Sequence, residues 1–177
     1  VYNLSLADYL KKILMDLFGL TYEQCYGTDE QKNQPTKVRW IDLPFDLLTK
    51  EGLYNSAYKT KLDALQNAHI LSSTYLTGRQ LMQIFGSNIC RKMFSDCWVY
   101  ASRSTIEKED RFDVYIINDV RFPNEVTGFK WDNAQTILIR LLRDPYHDDH
   151  ISESALDEKG LLQDALNNDL VDNLFII

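Results

Sequence analysis

The chain has 177 residues, 45% hydrophobic and 25% charged, the balance of a soluble globular domain long enough for a sizeable core. No apolar run approaches the roughly 18 residues that span a bilayer, and no Lys/Arg-led apolar block at the N-terminus reads as a signal peptide. Nineteen basic against 26 acidic residues leave a net charge of −7, which argues against a duplex nucleic-acid binder but leaves small anionic ligands open, because those depend on local arginines.

Three cysteines, Cys25, Cys90 and Cys97, form no C-x-x-C pair. They read as buried thiols of a reducing, cytoplasmic compartment. Glycine is scarce at 7 residues, and the chain opens on Val1.

In chain order, Tyr2–Leu4 reads as a short strand feeding a helix. Ser5 and Asp8 resemble a capping box, Leu6, Leu10, Ile13, Leu14 and Leu17 repeat at helical spacing, and Gly19 is placed to stop the helix. The stretch from Tyr22 to Phe45 reads as irregular. A helix over Ser56–Leu71 would turn Leu62, Leu65 and Ala68 inward. The next helix is capped by Thr77 and carries an i+4 ladder of Leu81, Phe85, Ile89 and Met93, and a further helical stretch runs from Asp96 to about Ile106. Phe112–Ile117 and Thr136–Leu142 are compact apolar runs of strand type, separated by NDVRFPNE and a short helix ending near Trp131. Strand, loop, helix and strand in that order predict a parallel sheet flanked by helices. The acidic tail after His150 is in part helical and closes on the apolar Leu174–Ile177.

The segment Asn118–Glu125 is the most informative. Asp119 falls where a strand should end, the place at which open α/β sheets bind ligands. An extended backbone would send Asp119 and Arg121 to the same side, a carboxylate for a hydroxyl or a Mg²⁺-bound water and a guanidinium fork for phosphate. Pro123 sets the exit turn and Glu125 enters the next helix. The alternative is a structural ion pair capping that helix. On the Thr77 helix, Arg79, Gln83, Ser87 and Arg91 form a second, polar stripe that could bind phosphate and a base edge, or could simply be solvated. Arg143 is followed by a polar, loop-like run containing His147 and His150. Their spacing matches no helical metal pair and no metal ligand set is assigned. Gly52–Thr60 ends in Lys-Thr but has the wrong spacing, and Tyr58 in place of the glycine before Lys59, so it is not a P-loop.

Taken in order, LADYLKK (Leu6–Lys12), CYGTDEQK (Cys25–Lys32), TGRQLMQIFGSNICRKMFSDCW (Thr77–Trp98), NDVRFPNE (Asn118–Glu125) and HISE (His150–Glu153) resemble the deoxynucleoside monophosphate kinases of tailed bacteriophages. The late pair Asp172-Asn173 is also similar to that family. The resemblance implies an α/β fold, a P-loop NTPase-like parallel sheet with flanking helices, and transfer of the γ-phosphoryl of ATP to a dNMP with Mg²⁺ for phage DNA synthesis. It places Asp8, Lys11, Arg79, Gln83 and Arg91 near the monophosphate and Trp98 as support or stacking partner of the base. Asp119, Arg121 and Glu125 would line the catalytic pocket, and Arg143 would close over the phosphates, with His150, Ser152 and Glu153 on the far side of a lid over about residues 143–155. It implies a single kinase-like domain over residues 1–177, working in the cytoplasm of an infected cell on dNMP and ATP, with no duplex nucleic acid or membrane partner and with a homodimer allowed.

The family pattern begins with a strand, a G-x-x-x-x-G-K-[ST] loop and its helix ahead of the LADYLKK segment, and this chain lacks that first unit. The expectation is an N-terminally incomplete domain, inactive by itself. The competing expectation is a non-catalytic nucleotide-binding or assembly protein on a decayed kinase scaffold.

Overall fold

Paired short strands and capped helices make up the computed structural model, which describes residues 1–43, 74–109, 111–131, 134–140, 161–168 and 171–176. The chain divides into two compact units, Asp8–Phe94 in one and Val1–Ala7 with Ser95–Ile177 in the other. No helix among the described residues is long and apolar enough to cross a membrane.

In the Asp8–Phe94 unit, α1 (Ala7–Phe18) turns Leu10, Leu14 and Phe18 to a core shared with Leu20, Cys25, Trp40, Leu76, Leu81 and Ile84. Full burial of a side chain such as Leu14 or Leu76 stabilises by about 1.5–3 kcal/mol, and both are inaccessible to solvent. Because the core-facing row is Leu10–Leu14–Phe18, Ile13 and Leu17, expected inward, lie on the water-facing flank with 36% and 68% of their surface exposed. The helix stops as expected. Gly19 takes φ +68°, a conformation that costs an L side chain strain, and its N–H reaches Met15 O at 3.1 Å.

The stretch expected to be irregular is ordered as far as the description extends. It holds α2 (Tyr22–Tyr26), α3 (Asp29–Lys32), β2 (Pro35–Arg39) and a 3₁₀ turn over Trp40–Asp42. Thr21 and Thr28 each head a T-x-x-Q capping box, with Gln24 and Gln31 returning a side-chain oxygen to the cap N–H. Helices of one turn have no apolar period, which is why the pattern hid them. β2 pairs antiparallel with β3 (Tyr75–Thr77). The helix expected over Ser56–Leu71 and the Gly52–Thr60 segment lie outside the described residues.

Thr77 caps α4 (Gly78–Gln83) with a third T-x-x-Q box, closed by Gln80. A π-helical segment, Ile84–Cys90, then leads into α5 (Arg91–Met93). The wider π turn breaks the 3.6-residue phase. Ile84, absent from the expected ladder, is therefore buried, and Met93, expected inward, is 84% exposed.

In the other unit, α6 (Cys97–Lys108) matches the expected helix. β1 (Tyr2–Leu4) pairs parallel with β4 (Tyr115–Ile117), Leu4 opposite Ile117. After α7 (Pro123–Thr127), β5 (Ile137–Arg140) pairs parallel with β6 (Asn173–Ile176), and α8 (Leu161–Asn167) lies between them in sequence. Both pairings are parallel, but neither is the β4–β5 pairing that the strand–helix–strand pattern predicted. Among the described residues β4 and β5 belong to separate two-stranded sheets, so the structure is a mixed helix/strand fold with small parallel sheets. Val126, Ala165 and Val171 bury against Val120, Leu138, Leu166 and Leu174.

Candidate functional site

β1 and β4 end side by side, and the chain leaves β4 through Asn118, whose N–H donates to Leu4 O at 3.4 Å. The next residue, Asp119, turns its carboxylate onto the start of α1. It accepts from the Ser5 hydroxyl at 2.5 Å, from Leu6 N–H at 2.7 Å and from Ala7 N–H at 3.0 Å. A helix begins with N–H groups that lack intrahelical partners and with a partial positive charge, and an anion satisfies both. Asp119 therefore acts as a cap delivered from more than a hundred residues away.

Two residues on, Arg121 is exposed. Its backbone N–H and that of Phe122 both donate to Oε2 of Glu125, at 2.8 and 3.0 Å. Glu125 is 4% exposed and sits in the first turn of α7 behind Pro123. A carboxylate at this third helical position reaching back to the preceding N–H groups is half of a capping box. Asn124 fastens the same turn to α6, donating from Nδ2 to Asp96 Oδ1 at 2.7 Å and to Ser95 O at 3.1 Å. Trp98, on α6, is buried with 8% of its surface exposed.

The remaining described candidates belong to the Asp8–Phe94 unit. Asp8 accepts from the Tyr26 hydroxyl at 3.2 Å, and the Lys11 ammonium sits 4.2 Å from the centroid of the Tyr26 ring. Burial first, and then the Asp8 charge and hydrogen bond, push the Tyr26 phenol up to about 12. It is therefore a neutral donor at physiological pH. Burial likewise raises the Cys25 thiol, opposed by the nearby Lys11 charge.

Each residue of Thr77-Gly78-Arg79 has a physical task here. Thr77 caps α4. Gly78 approaches so closely that a Cβ would lie 3.0 Å from Lys32 O and 3.1 Å from Gln24 O and Cβ. Arg79 pairs with Asp29 at 2.5 Å, a partner that is 66% exposed. Gln24 locks this corner: its Nε2 donates to Pro35 O at 2.9 Å. Gln83 and Arg91 lie further along the same helical run, half-buried, with the π segment between them.

Asp119, Arg121 and Glu125 are thus brought into one turn, and Asp8 and Lys11 meet at Tyr26. Arg143, His150, Ser152 and Glu153 lie outside the described residues. The late Asp172 is a structural clamp: its carboxylate accepts from Lys130 Nζ and from Thr136 N–H, and both hold its pKa below the usual aspartate value. Tyr22 was not singled out by the sequence, and Tyr26 and Asp29 stood only inside the CYGTDEQK segment with no role assigned. The i+4 spacing of Tyr22 and Tyr26 is the signal that could have found the first two, whose rings stack at 4.8 Å with 24° between planes.

A comparison with protein families matches residues 46–176 to the model described as deoxynucleotide monophosphate kinase. The chain belongs to this family. A similar curated protein is the deoxynucleoside-5'-monophosphate kinase of Escherichia phage T5, 28% identical over 113 residues, which cover 59% of this chain and 45% of the relative. The chain thus spans less than half the length of that relative. No solved structure matches.

The family match takes in Arg79, Gln83, Arg91, Trp98 and the whole Asp119–Glu125 turn, and Asp8 and Lys11 precede it. Among the described residues no group of three or more His, Cys, Asp or Glu side chains is assembled to hold a metal ion. No step is assigned to Mg²⁺ here.

Proposed function

We propose that these residues form part of a P-loop-type kinase domain that transfers the γ-phosphoryl of ATP to a deoxynucleoside monophosphate, giving dNDPs for phage DNA synthesis. The observation that supports this most is Arg121: an exposed arginine just past the carboxyl ends of a parallel strand pair, on a backbone held by the buried Glu125. That end of a parallel pair is where α/β proteins bind ligands, and a guanidinium fork matches phosphate oxygens.

Phosphoryl transfer asks the protein mainly for positioning and for neutralisation of charge on the transferred group. On this reading Arg121 supplies charge at the phosphates. The carboxylates of Asp119 and Glu125 are already committed to backbone N–H groups, so they act as positioning residues for the turn that carries Arg121. Arg79, Gln83, Arg91, Asp8 and Lys11 serve the monophosphate, and Trp98, being buried, supports the pocket wall. Arg143, His150, Ser152 and Glu153 form the lid. The glycine-rich phosphate cradle is not among the 177 residues, and on this reading turnover belongs to the full-length protein in the host cytoplasm.

The test is ATP-dependent conversion of dNMPs to dNDPs by the full-length protein. Conversion is expected. Its absence, with a stable complex between the folded chain and another protein, would favour the non-catalytic scaffold instead.

A further inference from the structure

An open groove of about 560 Å³ in the Asp8–Phe94 unit is lined by Asp8, Lys12, Met15 and Asp16 from α1 and by Tyr22 and Tyr26 from α2. Its aromatic wall is the stacked Tyr22–Tyr26 pair. Tyr26 is fixed in orientation by its hydroxyl bond to Asp8 and by Lys11 against its ring. Tyr22 rests on Tyr26 and still leaves 62% of its surface exposed. An exposed aromatic ring held in place by a second one is a stacking platform whose ordering cost is already met by the fold. One helical turn apart on α1, at the edge of the platform, stand the exposed Lys12 and Asp16. Neither side chain has a partner among the described residues. An ammonium donor and a carboxylate acceptor side by side can meet the mixed donor–acceptor edge that a nucleobase presents.

We infer that this groove is a base-stacking subsite: a nucleobase lies on Tyr22 and is oriented by Lys12 and Asp16. The inference rests on the nucleotide-handling reading above for the class of ligand, and it deepens that reading by naming Tyr22 and Asp16, which lie outside the motifs of the resemblance. An organic cation also suits tyrosine faces near carboxylates, but the Lys11 and Lys12 ammonium groups flanking this platform oppose one.

Binding of deoxyguanosine and of dGMP to the full-length protein, by titration calorimetry, tests this with Tyr22→Ala and Tyr22→Phe. Tyr22→Ala should weaken both ligands about 5- to 150-fold, the equivalent of the ~1–3 kcal/mol of one base–aromatic stack. Tyr22→Phe keeps the ring and should stay within about twofold of wild type. Unchanged affinity in Tyr22→Ala, or no binding of either ligand to wild type, overturns the subsite. Measuring dNDP formation in the same proteins separates the two claims. Normal turnover and dGMP affinity in Tyr22→Ala removes the subsite and leaves the kinase reading standing. Tyr22-dependent deoxyguanosine binding without dNDP formation in wild type removes the kinase reading and leaves the subsite.

Discussion

Replacing Asp119 by alanine removes one carboxylate and takes the acceptor from three donors, the Ser5 hydroxyl and the N–H groups of Leu6 and Ala7. Loss of a helix cap costs about 0.5–2 kcal/mol, and a partly buried donor left without an acceptor adds about 1–3 kcal/mol. The Ser5 hydroxyl can rotate to another acceptor, so the total expected for Asp119→Ala is about 2–4 kcal/mol. For a chain of this length that lowers Tm by roughly 4–16 °C. Asp119→Asn keeps one carbonyl oxygen as acceptor but loses the charge facing the helix N-terminus, so it should cost less, about 1–2 kcal/mol. Urea unfolding followed by circular dichroism at constant m-value measures both. The order wild type, Asn, Ala is the result expected. If both variants unfold within about 0.5 kcal/mol of wild type, which is the range of an ordinary surface substitution, Asp119 is not a cap and the reasoning fails.

Two further outcomes follow from local geometry. Gly78→Ala places a Cβ 3.0–3.1 Å from two backbone carbonyl oxygens, and since neither can move aside easily it should destabilise by about 1–3 kcal/mol; an unchanged urea midpoint would contradict the close approach. Tyr26 should titrate near 12 against about 10 for an ordinary phenol. Because its folded pKa is raised, the stabilisation is complete below about pH 10 and is lost as pH rises through 12. Tyrosinate absorbance on raising pH should show that late-titrating group disappear in Tyr26→Phe, and disappearance of an ordinary one instead would contradict the environment described.

What the sequence made legible was local. Gly19 as a helix stop, Thr77 as a cap and the α6 helix follow from residues within a turn or two of each other. The same T-x-x-Q signal stands at Thr21 and Thr28, but without an apolar ladder behind it nothing marked those turns as helical. The π segment has no signature in hydrophobic period, so Met93 was turned inward and Ile84 overlooked. The site shows the same division. Asp119 and Glu125 were recognisable as carboxylates around a strand end, yet the cap role of Asp119 depends on Leu6, 113 residues earlier, and no local pattern carries a partner at that distance. The alternative was an ion pair capping the next helix, whereas Glu125 caps it through the N–H groups three and four residues before it. Arg79 was singled out as a cation on this helix, while its partner Asp29 stands 50 residues earlier, beyond the reach of any local pattern.

The most direct test of the central claim is steady-state dNDP formation from dNMP and ATP by the full-length protein and its Arg121→Ala variant. The account predicts that wild type turns over and that Arg121→Ala loses about 100-fold or more in kcat/KM, the scale of removing one charge-stabilising group from a transferred phosphoryl, with an unchanged urea midpoint. Turnover by Arg121→Ala within a few-fold of wild type, or none by wild type, would contradict it.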